Sequence, residues 1–532
     1  MYDLLIKGGL VYDGSGKPPF RADVAVKARK IALVGETDVE SATTIDASGM
    51  AVAPGAIDAH SHSDLTLPTH NRAESSIRQG ITTEVAGSCG WSMAPCKKET
   101  IEGVLKWLIG ALASPDDYAN AGFGWRTFGE FLDALEKKGI GTNLYPVVGQ
   151  SLIRAHVVGT EDRPASRGEI EAMKALLKEA IQEGAQGIST GRSYEPGGFA
   201  NTDEIVELAR VVAAYGGVYT SHIRSEGNAI FAAVEEAIEV GRRSGVSVQI
   251  SHHKDIGKAN FGKVNRTLEM MEEARAEGIR VHCDVYPYDF AQVSPMWRML
   301  PRSVQRLGAE QIMAKLADES FRADIRKEFS KKNKTGQSML EMADDYIVVD
   351  CAQKPEIEWK SFAEIGGAKD LVDAMADLLI ETKMQVKAAA RMNEDDVRTV
   401  IRHPMTMIGT DAFAFDRHMG EEVAVHPRHY GSFPRVLGHY VRDVRLVSLE
   451  EMVRKVTQLP ARKFGIRERG EIKEGFFADM LVFDPSVFTD KATAKEPYLT
   501  APGLKQVIVN GKITLDNDVY RPVFAGTILR RA

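Results

Sequence analysis

Ala56-Ile57-Asp58-Ala59-His60-Ser61-His62-Ser63-Asp64 is a short apolar run that ends in two histidines one residue apart. On a β-strand, residues two apart point the same way, so the imidazoles of His60 and His62 can converge on one ion. The pair alone is equally compatible with two buried, satisfied histidines, and position has to decide. Seven further strand candidates follow: Ile81 to Ala86, Asn143 to Val148, Ala185 to Ser189, Val218 to Ser221, Val246 to Ser251, Arg280 to Val285 and Thr406 to Gly409. Amphipathic runs from Arg167 to Glu183, Asp203 to Tyr215, Ile230 to Ser244 and Lys263 to Glu277 lie between neighbouring strands. Strand then helix, repeated, is the pattern of a parallel sheet wrapped by helices, and eight such strands predict an α/β fold of the (β/α)8 TIM-barrel type. His222, His252 and Asp411 fall, like His60 and His62, at or just past strand C-termini, where barrel active sites are built.

Imidazole and carboxylate are the ligands expected for zinc or a related divalent ion. The chemistry that follows is metal-assisted attack by water. The ion lowers the pKa of its water toward about 7 and polarises a substrate carbonyl, while Asp411 takes the proton and delivers it to the leaving group. The alternative for Asp411 is a helix cap opening the loop Thr410-Asp411-Ala412.

Outside the barrel pattern, the two ends of the chain share one texture. Asp3 to Ile6, Leu10 to Tyr12, Val24 to Val26 and Ile31 to Val34 alternate with turn signals such as Gly8-Gly9, and read as a small antiparallel sheet. Ala478 to Phe483, Val507 to Ile508 and Ile513 to Leu515 read likewise. The expected division is therefore a small β-sandwich domain from residues 1–53 plus 468–532, and a barrel over 54–467. A stretch at about 290–388 is too long for one crossover and is rich in helix formers, which predicts an inserted helical lid or wall. Its basic run, Arg322 to Lys334, contains Asp324 and Glu328 at helical spacing and reads as a solvated helix face.

In a chain of 532 residues, 44% hydrophobic and 27% charged residues place it among ordinary globular proteins. A net charge of -7 gives no global attraction for nucleic acid or anionic lipid, so a small-molecule partner is expected. No basic-then-apolar export signal is visible at the start, and the expected location is cytoplasmic. No apolar run reaches the roughly 20 residues needed to span a bilayer. Four cysteines, Cys89, Cys96, Cys283 and Cys351, do not make a disulfide framework and are available for packing or metal.

These residues resemble the amidohydrolase superfamily nearly end to end, from Ile6-Lys7-Gly8-Gly9 and Pro54-Gly55-Ala56-Ile57-Asp58-Ala59-His60-Ser61-His62 to Val509-Asn510-Gly511. Within it, the chain is most similar to the N-acyl-D-amino-acid deacylases, or D-aminoacylases. Ser88-Cys89-Gly90, Ser189-Thr190-Gly191 with Tyr194, Ser221-His222-Ile223-Arg224, Ser251-His252-His253-Lys254, Asp284-Val285-Tyr286-Pro287-Tyr288, Met407 to Asp411, His426-Pro427-Arg428 and Gly431 to Gly438 carry that likeness.

The resemblance implies a cysteine ligand at the end of the second strand, where Cys89 stands, with Cys96 as the alternative. It implies a tight zinc held by Cys89, His222 and His252, and a weaker second position formed by His60, His62 and Asp411. Other amidohydrolases carry a carboxylated lysine on the fourth strand, and Ala185 to Ser189 contains none. His253 points to the other face of its strand and is not expected to be a ligand. The implied activity is hydrolysis of N-acyl-D-amino acids, whose carboxylate needs fixed cationic and hydroxyl donors. Lys254, Tyr286 and Arg428 match the family's positions for that task, with Tyr194 as a further candidate. Other readings are a surface-loop role for Arg428 and core packing for Tyr286 and Tyr288. After Tyr288 the family's small residues give way to Asp289 to Ser294, with Met296, Trp297, Arg298 and Met299 nearby, which suits an apolar or an acidic substrate side chain. Two other functions compete. A cyclic amidase (hydantoinase-like) or carbamoyl-amide hydrolase is opposed by the missing fourth-strand lysine. A catalytically silent scaffold should have lost ligands, and all six are present.

Overall fold

The computed structural model describes residues 1–96, 124–193, 195–305, 307–332, 336–416 and 425–531. The expected strands occur as Ala56–Ser61, Ile81–Ala86, Asn143–Pro146 continuing as Val148–Gly149, Gly187–Gly191, Val218–His222, Ser247–Ile250, Val281–Val285 and Thr406–Ile408. Each pairs in parallel with its sequence neighbour. The third strand joins two runs, because Asn143–Pro146 pairs with Ile81–Ala86 while Val148–Gly149 pairs with Gly187–Gly191. Beyond the last strand, Asp411 N donates to His60 O at 2.8 Å and His62 N to Ala412 O at 2.8 Å, which ties the end of the eighth strand to the end of the first.

Helices form where the apolar spacing places them. Arg167–Gln182 starts at a capping box made by Ser166 and Glu169 and buries Met173, Leu177, Ala180 and Ile181 on one face. Thr202–Ala214, Ile230–Ser244 and Lys263–Ala276 bury equivalent stripes. Each fully buried Leu or Ile contributes roughly 1.5–3 kcal/mol, so a Leu177→Ala change, with its cavity, costs about 2–5 kcal/mol.

The two chain ends meet in one sheet. Met480–Phe483 lies antiparallel to Ala51–Pro54, and the sheet counts nine strands. Two details differ from the sequence reading. The sheet is mixed, because Tyr2–Val11 pairs in parallel with Ser41–Asp46 and with Ala51–Pro54. Side-chain alternation marks a strand but carries no information about its direction. Gly8-Gly9 also makes no turn: Tyr2–Val11 is one strand with an irregularity between Ile6 and Gly9. A Cβ at Gly9 would lie 2.4 Å from Val52 Cγ2, so the glycine is set by close approach of a neighbouring strand.

The insertion is not purely helical. Ser294–Pro295, Lys387–Ala390 and Tyr346–Asp350 form a three-stranded sheet, and with Glu319–Phe329 and Leu371–Glu381 they enclose a core of their own, including Leu300, Ile325, Phe329, Phe362, Met375 and Leu379. Lys387-Ala388-Ala389-Ala390 reads as helix by composition, and tertiary pairing overrides it. Met296, expected near the substrate, is fully buried in this core. The basic run is not simply a solvated face over its described part: Arg322, whose side chain is 13% exposed, bridges Asp373 at 3.0 Å and Asp377 at 2.9 Å, and Arg326 bridges Asp370 at 3.0 Å, so both tie their helix to Leu371–Glu381. Residues 333 and 334 lie outside the described residues. Among the described residues no helix is long and apolar enough to cross a membrane.

Candidate metal centre

Three of the six expected ligands leave their strands through left-handed backbone: Cys89 at φ 53°, His252 at φ 34° and Asp411 at φ 51°. Such conformations cost non-glycine residues about 1–3 kcal/mol each and persist only where surrounding contacts hold them. Gly87, two residues before the cysteine, makes the turn possible. Its φ is +92° and a Cβ there would lie 1.9 Å from Val147 O.

The turns bring all six side chains together as two groups that share one thiol. His222 Nδ1 and His252 Nε2 lie 2.8 Å apart, with Cys89 Sγ at 3.9 Å and 3.4 Å from them. On the other side His60 Nε2 is 3.3 Å from the same sulfur. Asp411 Oδ1 lies 3.4 Å from His60 Nε2 and 3.0 Å from His62 Nε2. All six residues are largely buried, Cys89 to 3% exposure and His252 to 2%. Two ring nitrogens and a thiol converging on one nearly dry point are a donor set suited to zinc.

The electrostatics agree. Burial pushes the Cys89 thiol up, but His60 and His252 outweigh it and hold the group well below its ordinary range, as a ligand thiolate requires. Burial likewise raises the Asp411 carboxyl, and Arg428, His252, His60 and His62 together hold it well below the usual range. Cys96 is different: burial lifts its thiol to about 11, and among the described residues its sulfur faces Trp125 O at 3.8 Å. Cys283 packs on Thr406 Oγ1, and Cys351 is buried in the insertion core. His253 donates to or accepts from Thr267 Oγ1 at 2.8 Å, away from the cluster.

Arg428 reaches the centre despite its loop position. Nη1 lies 2.8 Å from Asp411 Oδ2, Nη2 donates to Gln292 Oε1 at 2.7 Å, and the guanidinium sits 4.9 Å from the Tyr286 ring centroid. Lys254 Nζ is 5.2 Å from the same ring but is held by Glu226 Oε1 at 2.6 Å and His252 O at 2.9 Å. The Tyr286 hydroxyl contacts Met392 Sδ at 3.5 Å. Tyr194 lies outside the described residues. Among the described residues Asp411 caps no helix: its Oδ1 faces the histidines and its Oδ2 faces Arg428.

Several residues at the centre were not singled out from the sequence. Glu226 Oε1 lies 2.9 Å from His252 Nδ1, which leaves His252 Nε2 for the thiol side. Asp58 accepts from His60 N at 3.0 Å and from Thr410 N at 2.9 Å, bracing the turn into Asp411. Asp284 lies beneath both groups, 3.3 Å from His60 Nδ1 and 2.7 Å from His252 N. Only Asp284 carried a readable signal, a carboxylate at the C-terminal end of the seventh strand.

Residues 43–515 match the model of the amidohydrolase family, and the chain belongs to that family. It is 36% identical to a D-aminoacylase of Alcaligenes xylosoxydans xylosoxydans, with 100% of this chain and 98% of the relative covered. An N-acyl-D-glutamate deacylase of the same organism is also 36% identical, over 99% of this chain and 96% of the relative. Among solved structures, an N-acyl-D-glutamate deacylase from Bordetella bronchiseptica, complexed with zinc and a phosphonate mimic of the tetrahedral intermediate, superposes with a TM-score of 0.76. It is 33% identical and both chains are covered completely. The likeness to D-aminoacylases read from the sequence is thereby borne out.

Proposed function

We propose that this protein is a zinc-dependent N-acyl-D-amino-acid deacylase, which hydrolyses the amide bond to a free D-amino acid and a carboxylic acid. The observation that carries the reading is the single thiol of Cys89 shared between the two histidine groups, in a chain whose fourth strand, Gly187–Gly191, has no lysine. Cys89, His222 and His252 are assigned to the tight position and His60, His62 and Asp411 to the weaker one. Bound zinc supplies Lewis acidity for attack of water on the carbonyl. Asp411, ionised by its surroundings, takes the proton from water and passes it to the leaving amine. Arg428 receives the substrate carboxylate, Tyr286 and Lys254 complete its surroundings, and Tyr194 stays a candidate for the same task.

The architecture that goes with this reading is a closed (β/α)8 barrel over 54–467, with a β-sandwich domain from 1–53 and 468–532 and the insertion as a wall at the barrel mouth. A cytoplasmic location goes with it too, supported by four cysteines that are all free and buried.

The test is deacylation of matched N-acetyl-D- and N-acetyl-L-amino acids by zinc-loaded protein, alongside hydantoin and carbamoyl substrates. Turnover of the D series is expected. Activity restricted to L or cyclic substrates would overturn the assignment, and absence of activity on every substrate would favour the silent scaffold.

A further inference from the structure

One carboxylate oxygen touches both halves of the centre. Asp284 Oδ1 lies 3.3 Å from His60 Nδ1 and accepts from His252 N at 2.7 Å. Its partner Oδ2 accepts from Gln249 Nε2 at 2.7 Å, and Asp284 O accepts from His253 N at 2.7 Å, so the carboxylate has little freedom to turn. Asp284 is 1% exposed.

The two contacts act on different properties. A proton on His60 Nδ1 facing a carboxylate leaves Nε2 bare, and Nε2 faces Cys89 Sγ and Asp411 Oδ1. The bond to His252 N holds a backbone at φ 34°, and that backbone aims His252 Nε2 at Cys89 and His222. We infer that Asp284 is a positioning residue that couples the two ion positions, because the oxygen that fixes the His60 tautomer also fixes the strained backbone of His252. The inference rests on the metal-centre assignment above. A stronger pull of His60 on Oδ1 is a weaker hold on His252 N, so filling the His60 side alters the geometry of the Cys89 side.

Apo protein titrated with Zn2+ against a chromophoric chelator separates the first and second equivalents, and Co2+ loading reports the cysteine side through its thiolate-to-metal absorption band. In Asp284→Asn a neutral amide replaces the carboxylate as acceptor, and charge-assisted bonds are the stronger ones. The expected result is a folded protein whose second equivalent binds about 10–100-fold more weakly and whose first-equivalent Co2+ band is shifted. In wild type the second equivalent should itself shift that band, and in Asp284→Asn it should shift it less. Should Asp284→Asn fail to fold, Gln249→Met, which frees Oδ2, is expected to change both readouts in the same direction. A folded variant with both readouts unchanged, or with the second affinity lost and the first band unmoved, overturns the coupling. If Cys89→Ala retains both zinc equivalents, the metal-centre assignment falls and the coupling with it.

Discussion

Arg428 and Asp411 form a direct ion pair, Nη1 to Oδ2 at 2.8 Å, with side-chain exposures of 5% and 13%. The residue proposed to grip substrate thus also favours the ionised form of Asp411, the proposed proton carrier. Arg428→Met should lower kcat/KM by about 30-fold, corresponding to about 2 kcal/mol for a charge-assisted hydrogen bond. It should also move the acid limb of the pH–kcat/KM profile. Removing the cation raises the Asp411 pKa, so the basic form is lost at higher pH and the limb shifts upward. An unmoved limb with a raised KM would confine Arg428 to substrate binding.

Asp411→Asn keeps the shape of the side chain and removes its basicity. With Cys89, His222 and His252 untouched, the tight metal should remain while turnover falls by about 10²–10⁴-fold. Elemental analysis and single-turnover kinetics on the same preparation check the two halves.

Exchange of the cysteines separates thiols of opposite character. Cys89→Ala should lose tight metal and activity with the fold retained, whereas Cys96→Ala, whose thiol is raised by burial to about 11, should change neither. Metal content measured after dialysis decides between them, and the reverse pattern would transfer the ligand role to Cys96.

Glu226 offsets the charge of Lys254 in a place where neither is well solvated, with side-chain exposures of 10% and 6%. Glu226→Gln leaves Lys254 uncompensated and should cost about 3–5 kcal/mol. Burial raises the Glu226 carboxyl, but Lys254, His222 and His252 outweigh it and hold the group below its ordinary value of 4.5. A depressed carboxyl contributes stability that is fully present above that ordinary value and lost as pH falls through the lower folded one. Denaturant titrations of wild type and Glu226→Gln should therefore differ most near neutrality and converge on acidification.

The insertion core should answer to its own mutations. Phe362 is 1% exposed and packs within that core, with the Tyr346 ring stacked 5.8 Å away. Phe362→Ala should cost about 3–5 kcal/mol and raise hydrogen exchange across 294–390 ahead of the strands that carry the ligands. Zinc content should not change.

Five of the six proposed ligands were readable because chemistry and position coincide: histidine and aspartate side chains stand where parallel strands end. Cys89 needed the family likeness, since nothing in its spacing separates it from Cys96. Glu226 was not legible at all, and Asp58 and Gln292 appeared only inside longer segments, with no role of their own. Their roles depend on contacts across the chain, such as Gln292 with Arg428, which no local period encodes. The same reason explains the mixed sheet and the strand at Lys387–Ala390, where partners rather than propensity decide.

The joining of Ala51–Pro54 to Met480–Phe483 sets an order of events during synthesis. Ala51–Pro54 leaves the ribosome about 430 residues ahead of this hydrogen-bonding partner. At roughly 5–20 residues per second, the edge of Ala51–Pro54 waits tens of seconds for its cover. An unpaired strand edge is a template for wrong partners, so shortening the carboxyl terminus before Met480 should yield a chain that aggregates during expression, whatever the state of its metal centre.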